Sequence, residues 1–319
     1  MERNYEPLLK INYGQLDPKV NLEPDFFTGF EPARRKEIVN EEAAFYHGIT
    51  QPFSKDDKLD KHYDICKAED GYEIPVKVYR PKSAEGALPV VMFFHGGGFM
   101  TCSVETHDYV PSYIAAEAGA VVINVEYRLA PEYKFPRGLE DCYEACKWAI
   151  EHKEELGINT DRLFVCGDSS GGNFAAAIAL MARDREEFDV HGQILIYPVT
   201  DCAEEIKKKS LEVYGSVCGS KENPTPVLTA YFSDINSEAS KPYASPLLVE
   251  NLAGLPKALF IQAECDGLVD DGLMYAKRLA DAGVEVECEV YDGMPHAFIL
   301  RTYTETFEAL DKICAFVKK

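Results

Sequence analysis

Basic residues are few in this 319-residue chain compared with acidic ones: 33 Lys and Arg stand against 54 Asp and Glu, a formal net charge of −21. Like charges repel, so nucleic acid phosphates and anionic lipid surfaces are poor partners for such a chain. The acidic excess itself makes a well-solvated surface. We therefore predict no nucleic-acid partner and no membrane partner, and we expect a neutral or small substrate rather than a polyanion.

Long apolar runs and a targeting segment are also missing. No stretch approaches the roughly 18 apolar residues of a membrane span. The N-terminal stretch lacks the basic segment followed by an apolar one that marks a signal peptide. On this basis we expect a cytoplasmic protein.

The ten cysteines are dispersed and form no C-x-x-C pair. Cys142 and Cys146 are four residues apart on a predicted helix and could share a face, but no further ligands at a metal-binding spacing accompany them. We expect reduced thiols packed as small apolar side chains, and no metal site.

Short apolar runs alternate with helix-like segments from about residue 60 onward. The pattern predicts strands over 72–80, 88–99, 120–132, 162–168, 192–198, 257–266 and 285–293, and helices over 138–156, 171–185, 273–283 and 306–319. Near-continuous apolar strands separated by helices indicate a mostly parallel sheet with helices on both faces. The first strands follow one another closely and are expected to be antiparallel.

Residues 1–58 and 200–243 do not fit this alternation. Ligands of open α/β sheets bind at the carboxyl ends of the strands, where a cover is needed. We therefore expect the two segments to form a helical cap over a core made of residues 59–199 and 244–319. The alternative is two unrelated surface excursions. Four aromatic residues either line the pocket or form the interior of the cap: Phe26, Phe27, Tyr231 and Phe232.

Residues 167–171, Gly-Asp-Ser-Ser-Gly, follow an apolar strand and precede an alanine-rich helix. A strand that turns sharply into a helix strains its middle residue, Ser169, and glycines on either side remove Cβ atoms that would clash. The turn lifts the hydroxyl above the sheet at a helix N-terminus, where N–H groups favour negative charge. We predict Ser169 as a nucleophile. At Ser170 the backbone N–H, rather than the side chain, is the expected functional group.

A nucleophilic serine needs a base and a carboxylate that orients the base. His296 lies in a loop between a strand and the last helix, where it can reach the same sheet edge as Ser169. Asp266 comes directly at the end of a buried strand and would hold the tautomer of His296. The chain order Ser169, Asp266, His296 is that of the α/β-hydrolases.

Other candidates for these two roles are assigned to structure or solvent. Asp270 and Asp271 fall in the turn after the strand, and we expect them to cap the next helix or face water. His107 is near a helix start and is expected to be solvated.

Three glycines follow the apolar strand that ends near residue 94, in the stretch His95–Phe99. Their backbone N–H groups can approach a substrate oxygen closely. Those of Gly97 and Gly98, with that of Ser170, would form an oxyanion hole worth about 3 kcal/mol per donor in the transition state. The alternative, a phosphate-binding loop, lacks the usual glycine and lysine patterns. His95 is expected to anchor the loop by hydrogen bonding.

Together these segments resemble the hormone-sensitive-lipase-like (bacterial family IV) esterases of the α/β-hydrolase superfamily, which include acetyl esterases. The matching blocks are HGGGF (95–99), YRLAPEYKFP (127–136), GDSSGGN (167–173), DGLVD (266–270) and HAF (296–298). The resemblance implies an eight-stranded sheet, a cap built from the N-terminus and an insertion, no cofactor, and hydrolysis of short-chain acyl esters. It also implies that a homodimer can form and that Arg128 and Glu132 are structural. The family usually has Ala where Ser170 stands, a difference that bears on the pocket.

The chemistry expected from this resemblance is that of a serine carboxylesterase with an acyl-enzyme intermediate. A small-molecule receptor of the same fold is one alternative, since plant hormone receptors that look like this family lack the triad histidine. His296 is present and favours the enzyme. An amidase or peptidase is the other alternative, because amide hydrolysis uses the same residues.

Overall fold

Eight strands form one sheet at the centre of the computed structural model, which describes residues 5–20, 31–203, 206–215 and 226–319. The strands are β1 (Leu59–Lys67), β2 (Glu73–Pro81), β3 (Leu88–Phe94), β4 (Val121–Val125), β5 (Ile158–Asp168), β6 (Gly192–Ile196), β7 (Lys257–Cys265) and β8 (Val286–Pro295). Their order in the sheet is β1-β2-β4-β3-β5-β6-β7-β8. β2 pairs antiparallel with both β1 and β4, and the pairs from β4 to β8 are parallel. The predicted α/β-hydrolase fold, with a mostly parallel eight-stranded sheet and an antiparallel start, is confirmed.

Helices cover both faces of this sheet. α1 (Arg35–Thr50) precedes β1. Six further described helices accompany the strands: α2 (Tyr109–Ala118), α3 (Arg137–Glu151), α4 (Lys153–Leu156), α5 (Ser170–Arg185), α9 (Val269–Asp281) and α10 (Thr304–Lys318). The remaining three described helices, α6 (Lys209–Tyr214), α7 (Pro226–Tyr231) and α8 (Ile235–Glu238), lie between β6 and β7.

The residues of β3 show why the strands of this sheet are apolar at successive positions. Val90 and Met92 belong to the core cluster that contains α3, α5 and α9. Val91 and Phe93 belong to the cluster on the other face, with α2 and α10. Successive side chains of a strand point to opposite faces, so a strand covered on both faces must be apolar at every position.

Two elements differ from the sequence prediction. The helix expected over 138–156 is divided into α3 and α4 at His152, whose backbone leaves the helical region (φ −97°, ψ 19°). No apolar run predicts β1, because most of its side chains are exposed or half-buried at the edge of the sheet.

The N-terminal segment and the insertion between β6 and β7 touch each other. The Tyr214 hydroxyl donates to the carbonyl of Gly14 at 2.9 Å, and the Lys209 ammonium lies 4.4 Å from the centre of the Tyr13 ring. Among the described residues, no helix is long and apolar enough to cross a bilayer.

Two of the four aromatic residues considered above are placed by the structure. Tyr231 and Phe232 are each 2% exposed and belong to the main core cluster. Tyr231 stacks on Phe99, with ring centroids 3.9 Å apart. These two side chains therefore form interior packing, whereas Phe26 and Phe27 lie outside the described residues.

Candidate active site

The turn between β5 and α5 holds Ser169 at a positive φ, which is rare for a residue with a side chain (φ +55°, ψ −118°). Its two neighbouring glycines are required sterically. A Cβ at Gly167 would lie 2.3 Å from the carbonyl oxygen of Gly171, and a Cβ at Gly171 would lie 1.9 Å from that of Phe94. The N–H of Ser169 donates to the carbonyl of Ile196 at 2.9 Å, a contact that helps to hold the strained conformation.

Three side chains that are distant in the sequence meet at the carboxyl ends of β5, β7 and β8. His296 Nε2 lies 2.9 Å from Ser169 Oγ, and His296 Nδ1 lies 2.7 Å from Asp266 Oδ2. The backbone N–H of Leu268 donates to the other Asp266 oxygen at 2.8 Å, which fixes the carboxylate. The structure thus brings together the predicted nucleophile, base and orienting carboxylate in hydrogen-bond order.

The electrostatics of this chain of contacts suit a general base. Asp266 is fully buried, whereas the His296 side chain is 22% exposed. Burial lowers the pKa of His296, but the charge and hydrogen bond of Asp266, helped by the charge of Asp168, raise it above its ordinary value. A more basic imidazole accepts the serine proton more readily.

The glycine loop after β3 is built so that its N–H groups are available. Gly97 and Gly98 have φ values of +116° and +58°, and a Cβ at Gly97 would lie 2.2 Å from the carbonyl oxygen of Thr101. Within the described part of the chain, no acceptor pairs with the N–H of Gly97 or of Gly98. Ser170 is the first residue of α5, where N–H groups have no partner within the helix. Its side chain is fully buried.

His95 supports this loop from behind. Its Nδ1 lies 2.7 Å from the carbonyl oxygen of Gly96, and its ring stacks on Tyr127 with centroids 4.3 Å apart. Complete burial, with the nearby charge of His107, lowers the pKa of His95 to about 3. The imidazole is therefore neutral and acts as a packing and hydrogen-bonding group, as the sequence predicted.

The expectation that His107 is solvated is wrong. It is 1% exposed, and its Nε2 lies 3.1 Å from Asp168 Oδ1. The N–H of Gly96 donates to the same carboxylate at 2.8 Å. Burial raises the pKa of Asp168, but the charge and hydrogen bond of His107 and the N–H of Gly96 outweigh it, so that this pKa lies below its ordinary value. A buried carboxylate needs such partners, and the hydrogen bond from Gly96 to Asp168 joins the glycine loop to the serine turn.

The expectation for Asp270 and Asp271 is also wrong. Both are buried in the first turn of α9, at 2% and 0% exposure. Asp270 accepts hydrogen bonds from the Tyr13 hydroxyl and the Ser210 N–H. Asp271 lies 2.8 Å from the buried ammonium of Lys208. They therefore fasten the N-terminal segment and the insertion to the core, and they neither face water nor cap the helix.

Arg128 and Glu132 make structural contacts. The Arg128 guanidinium donates to both oxygens of buried Asp141 and to Asp70. Glu132 forms an ion pair with Arg35 of α1 at 2.7 Å.

Among the described residues, no group of three His, Cys, Asp or Glu side chains could hold a metal ion. Cys142 and Cys146 are fully buried in the core, and burial raises the pKa of both thiols.

The strand order, the strained serine turn and the positions after β5, β7 and β8 define an α/β hydrolase. A family model described as alpha/beta hydrolase fold matches residues 91–300. The chain belongs to this family and, within it, to the hormone-sensitive-lipase-like esterases.

Relatives of known name support this assignment. The chain is 37% identical over 233 residues to the ethyl acetate hydrolase of Pseudomonas putida, a match that covers 72% of this chain and 73% of the relative. It is 36% identical over 248 residues to an arylesterase of Saccharolobus solfataricus, with 73% and 75% covered. The solved structure of a hyperthermophilic esterase from the archaeon Pyrobaculum calidifontis matches with a TM-score of 0.80 at 36% identity, over 89% of this chain and 92% of that one.

Proposed function

We propose that this carboxylic ester hydrolase cleaves short-chain acyl esters through a triad of Ser169, His296 and Asp266. The observation that carries the proposal is the continuous relay from Ser169 Oγ to His296 Nε2 at 2.9 Å and from His296 Nδ1 to Asp266 Oδ2 at 2.7 Å. Both distances are within hydrogen-bond reach, which is the geometry that proton transfer from a serine requires.

The reaction follows from these positions. Ser169 Oγ attacks the ester carbonyl while its proton passes to His296 Nε2, and Asp266 stabilises the imidazolium. The N–H groups of Gly97, Gly98 and Ser170 hold the developing oxyanion. The imidazolium then protonates the leaving alcohol, and water releases the acid from the acyl-enzyme by the same path.

We propose that residues 1–58 and 200–243 cap this site. The hydrogen bonds of Tyr13 and Ser210 to Asp270 support the proposal, because they tie both segments to the first turn of α9, four residues after Asp266. A cover of this kind excludes water and limits the size of the acyl group. The preference for short acyl chains is supported by the name of the relative that hydrolyses ethyl acetate.

Rates on p-nitrophenyl acetate, butyrate and octanoate test the proposal. We expect turnover to fall with acyl length and to drop by roughly 10⁵-fold or more in Ser169→Ala, because the nucleophile is lost. A fluorophosphonate probe should label the wild type and not the variant. Equal labelling of both proteins would refute the nucleophile, and fastest hydrolysis of the octanoate would refute the short-chain preference.

A further inference from the structure

Glu264 is the one acidic residue in strand β7 and lies two positions before Asp266. It is 9% exposed, and neither of its oxygens is used by the proposed reaction. Each oxygen accepts a backbone N–H from a different segment. Gly14 donates to Oε1 at 3.1 Å, and Gly293 donates to Oε2 at 3.0 Å.

The second of these donors belongs to what we call the histidine loop, residues 293–297, which comprise the last three residues of β8 and the turn that follows it. Gly293 begins this loop at φ +68°, three residues before His296. The carbonyl of Gly293 in turn accepts the N–H of Asp17 at 3.0 Å. Both backbone groups of Gly293 are therefore held, one by Glu264 and one by the N-terminal segment.

The first donor belongs to the N-terminal strap, which we define as residues 13–17. A Cβ at Gly14 would lie 2.8 Å from Glu264 Oε2, so a larger residue there would displace the carboxylate from its present position. The strap is held on its other sides by the Tyr214 hydroxyl, which donates to the carbonyl of Gly14, and by its own Tyr13, whose hydroxyl donates to Asp270. Glu264 is thus the point at which the strap, the histidine loop and the strand leading to Asp266 are joined.

We propose that Glu264 is a positioning residue, which keeps His296 in reach of Ser169 and Asp266 by joining the histidine loop to the N-terminal strap. This inference rests on the proposed function, because it assigns a purpose to the placement of His296. It makes the N-terminal strap a part of the machinery that holds the base in place. Misplacement of a reacting group by about 1 Å can cost roughly 100-fold in rate, so the effect on turnover should be large.

Two variants on different segments test the proposal, and both disturb the hydrogen bond between the Gly14 N–H and the Glu264 carboxylate. Glu264→Gln presents an amide NH₂ to one of the two N–H donors, and Gly14→Ala inserts a methyl group between the strap and the carboxylate. The matched control is Glu285→Gln, which removes the same charge at an exposed position just before β8. The measurements are kcat, KM, the pH profile of kcat/KM and the midpoint of thermal unfolding.

We expect kcat to fall about 10- to 100-fold in both variants, with KM within about twofold of the wild type. The acid limb of kcat/KM should move to lower pH, because a displaced imidazole loses the Asp266 contacts that raise its pKa. In the double variant the losses should not multiply, since both substitutions break one link. The control should behave as the wild type.

A wild-type kcat and pH profile in Glu264→Gln or in Gly14→Ala, with only the unfolding midpoint lowered, would overturn the positioning role. Multiplying losses in the double variant would overturn it as well. Should Glu264→Gln not fold, Gly14→Ala decides by the same readouts. Turnover by the wild type that survives Ser169→Ala would refute the proposed function together with this inference. Ser169-dependent turnover with unchanged variants would refute the inference alone.

Discussion

Replacing Lys208 by methionine should destabilise the protein strongly, because it leaves two carboxylates buried without their cation. The Lys208 side chain is 1% exposed, and its ammonium lies 3.0 Å from Asp201 and 2.8 Å from Asp271. The side chains of Asp201 and Asp271 are no more exposed, at 0% and 1%. The three groups link the insertion between β6 and β7 to the first turn of α9.

The size of the loss follows from the charges. With an effective dielectric constant of about 20, one contact at 2.8 Å is worth roughly 6 kcal/mol before the cost of burying the charges is subtracted. Removing one partner of a buried ion pair typically costs about 3–5 kcal/mol, because the remaining charge stays buried. We expect a loss in this range for the free energy of unfolding at neutral pH.

The loss should shrink as the pH falls. Burial and the charge of Asp201 already raise the pKa of Asp271, while Lys208 opposes them. Without Lys208 this pKa rises further above its unfolded value. A carboxyl whose folded pKa is raised binds protons more tightly when folded, so the variant gains stability as the pH falls through that folded pKa towards the unfolded one, and loses it as the pH rises again.

Urea unfolding at pH 5 and pH 8 provides the assay. Lys208→Met should lose several kcal/mol at pH 8 and less at pH 5, and Asp271→Asn added to it should restore part of the loss. Lys207→Met is the matched control, since Lys207 is 87% exposed and its ion pair with Glu212 should be worth at most about 1 kcal/mol. A loss below about 1 kcal/mol for Lys208→Met, or one equal at both pH values, would refute the reasoning.

Two further predictions concern the active site. The base must be neutral, so kcat/KM should rise with pH through an acid limb above the ordinary imidazole pKa of 6.5, because the charge and hydrogen bond of Asp266 raise the pKa of His296 in spite of burial. Asp266→Asn should move this limb to lower pH. An unchanged limb in that variant would contradict the pairing of His296 with Asp266. Gly171→Ala should abolish the yield of soluble protein or lower fluorophosphonate labelling by at least about 100-fold, since the new Cβ would lie 1.9 Å from the carbonyl oxygen of Phe94. Gly48→Ala is the control: its Cβ would meet no atom within 4 Å, and the variant should be labelled as the wild type is.

The sequence predicts the sheet and the meeting of the site residues for one topological reason. Ser169, Asp266 and His296 each follow or end a strand that runs parallel to its neighbours, and the carboxyl ends of parallel strands share one edge. Apolar runs place the strands, and the strands then place the side chains. The glycines at 167 and 171 likewise predict the serine turn from sequence, because a sharp turn packed against backbone requires glycine at these positions.

The pairing of buried polar side chains cannot be predicted from the sequence in this way. His107 and Asp168 are 61 residues apart, and the sequence around His107 is polar, so nothing in it indicates that the ring is buried. The environment of such a residue is set by the segment that packs on it and not by its neighbours in the chain. The same holds for Asp271, whose cation comes from the insertion between β6 and β7.

Glu264 is an intermediate case, because the sequence predicts that it has partners but not which groups they are. A carboxylate within the mostly apolar strand Lys257–Cys265 must have hydrogen-bond donors, because burying it without them costs several kcal/mol. The sequence therefore signals that Glu264 has partners, and its place two residues before Asp266 signals that they lie near the site. It gives no indication that both partners are backbone N–H groups of glycines, since a backbone donor leaves no trace in residue type. Of the two donors, only Gly14 would bring a Cβ close to this carboxylate, so the residue type at this position in other family members would indicate whether the hydrogen bond is kept.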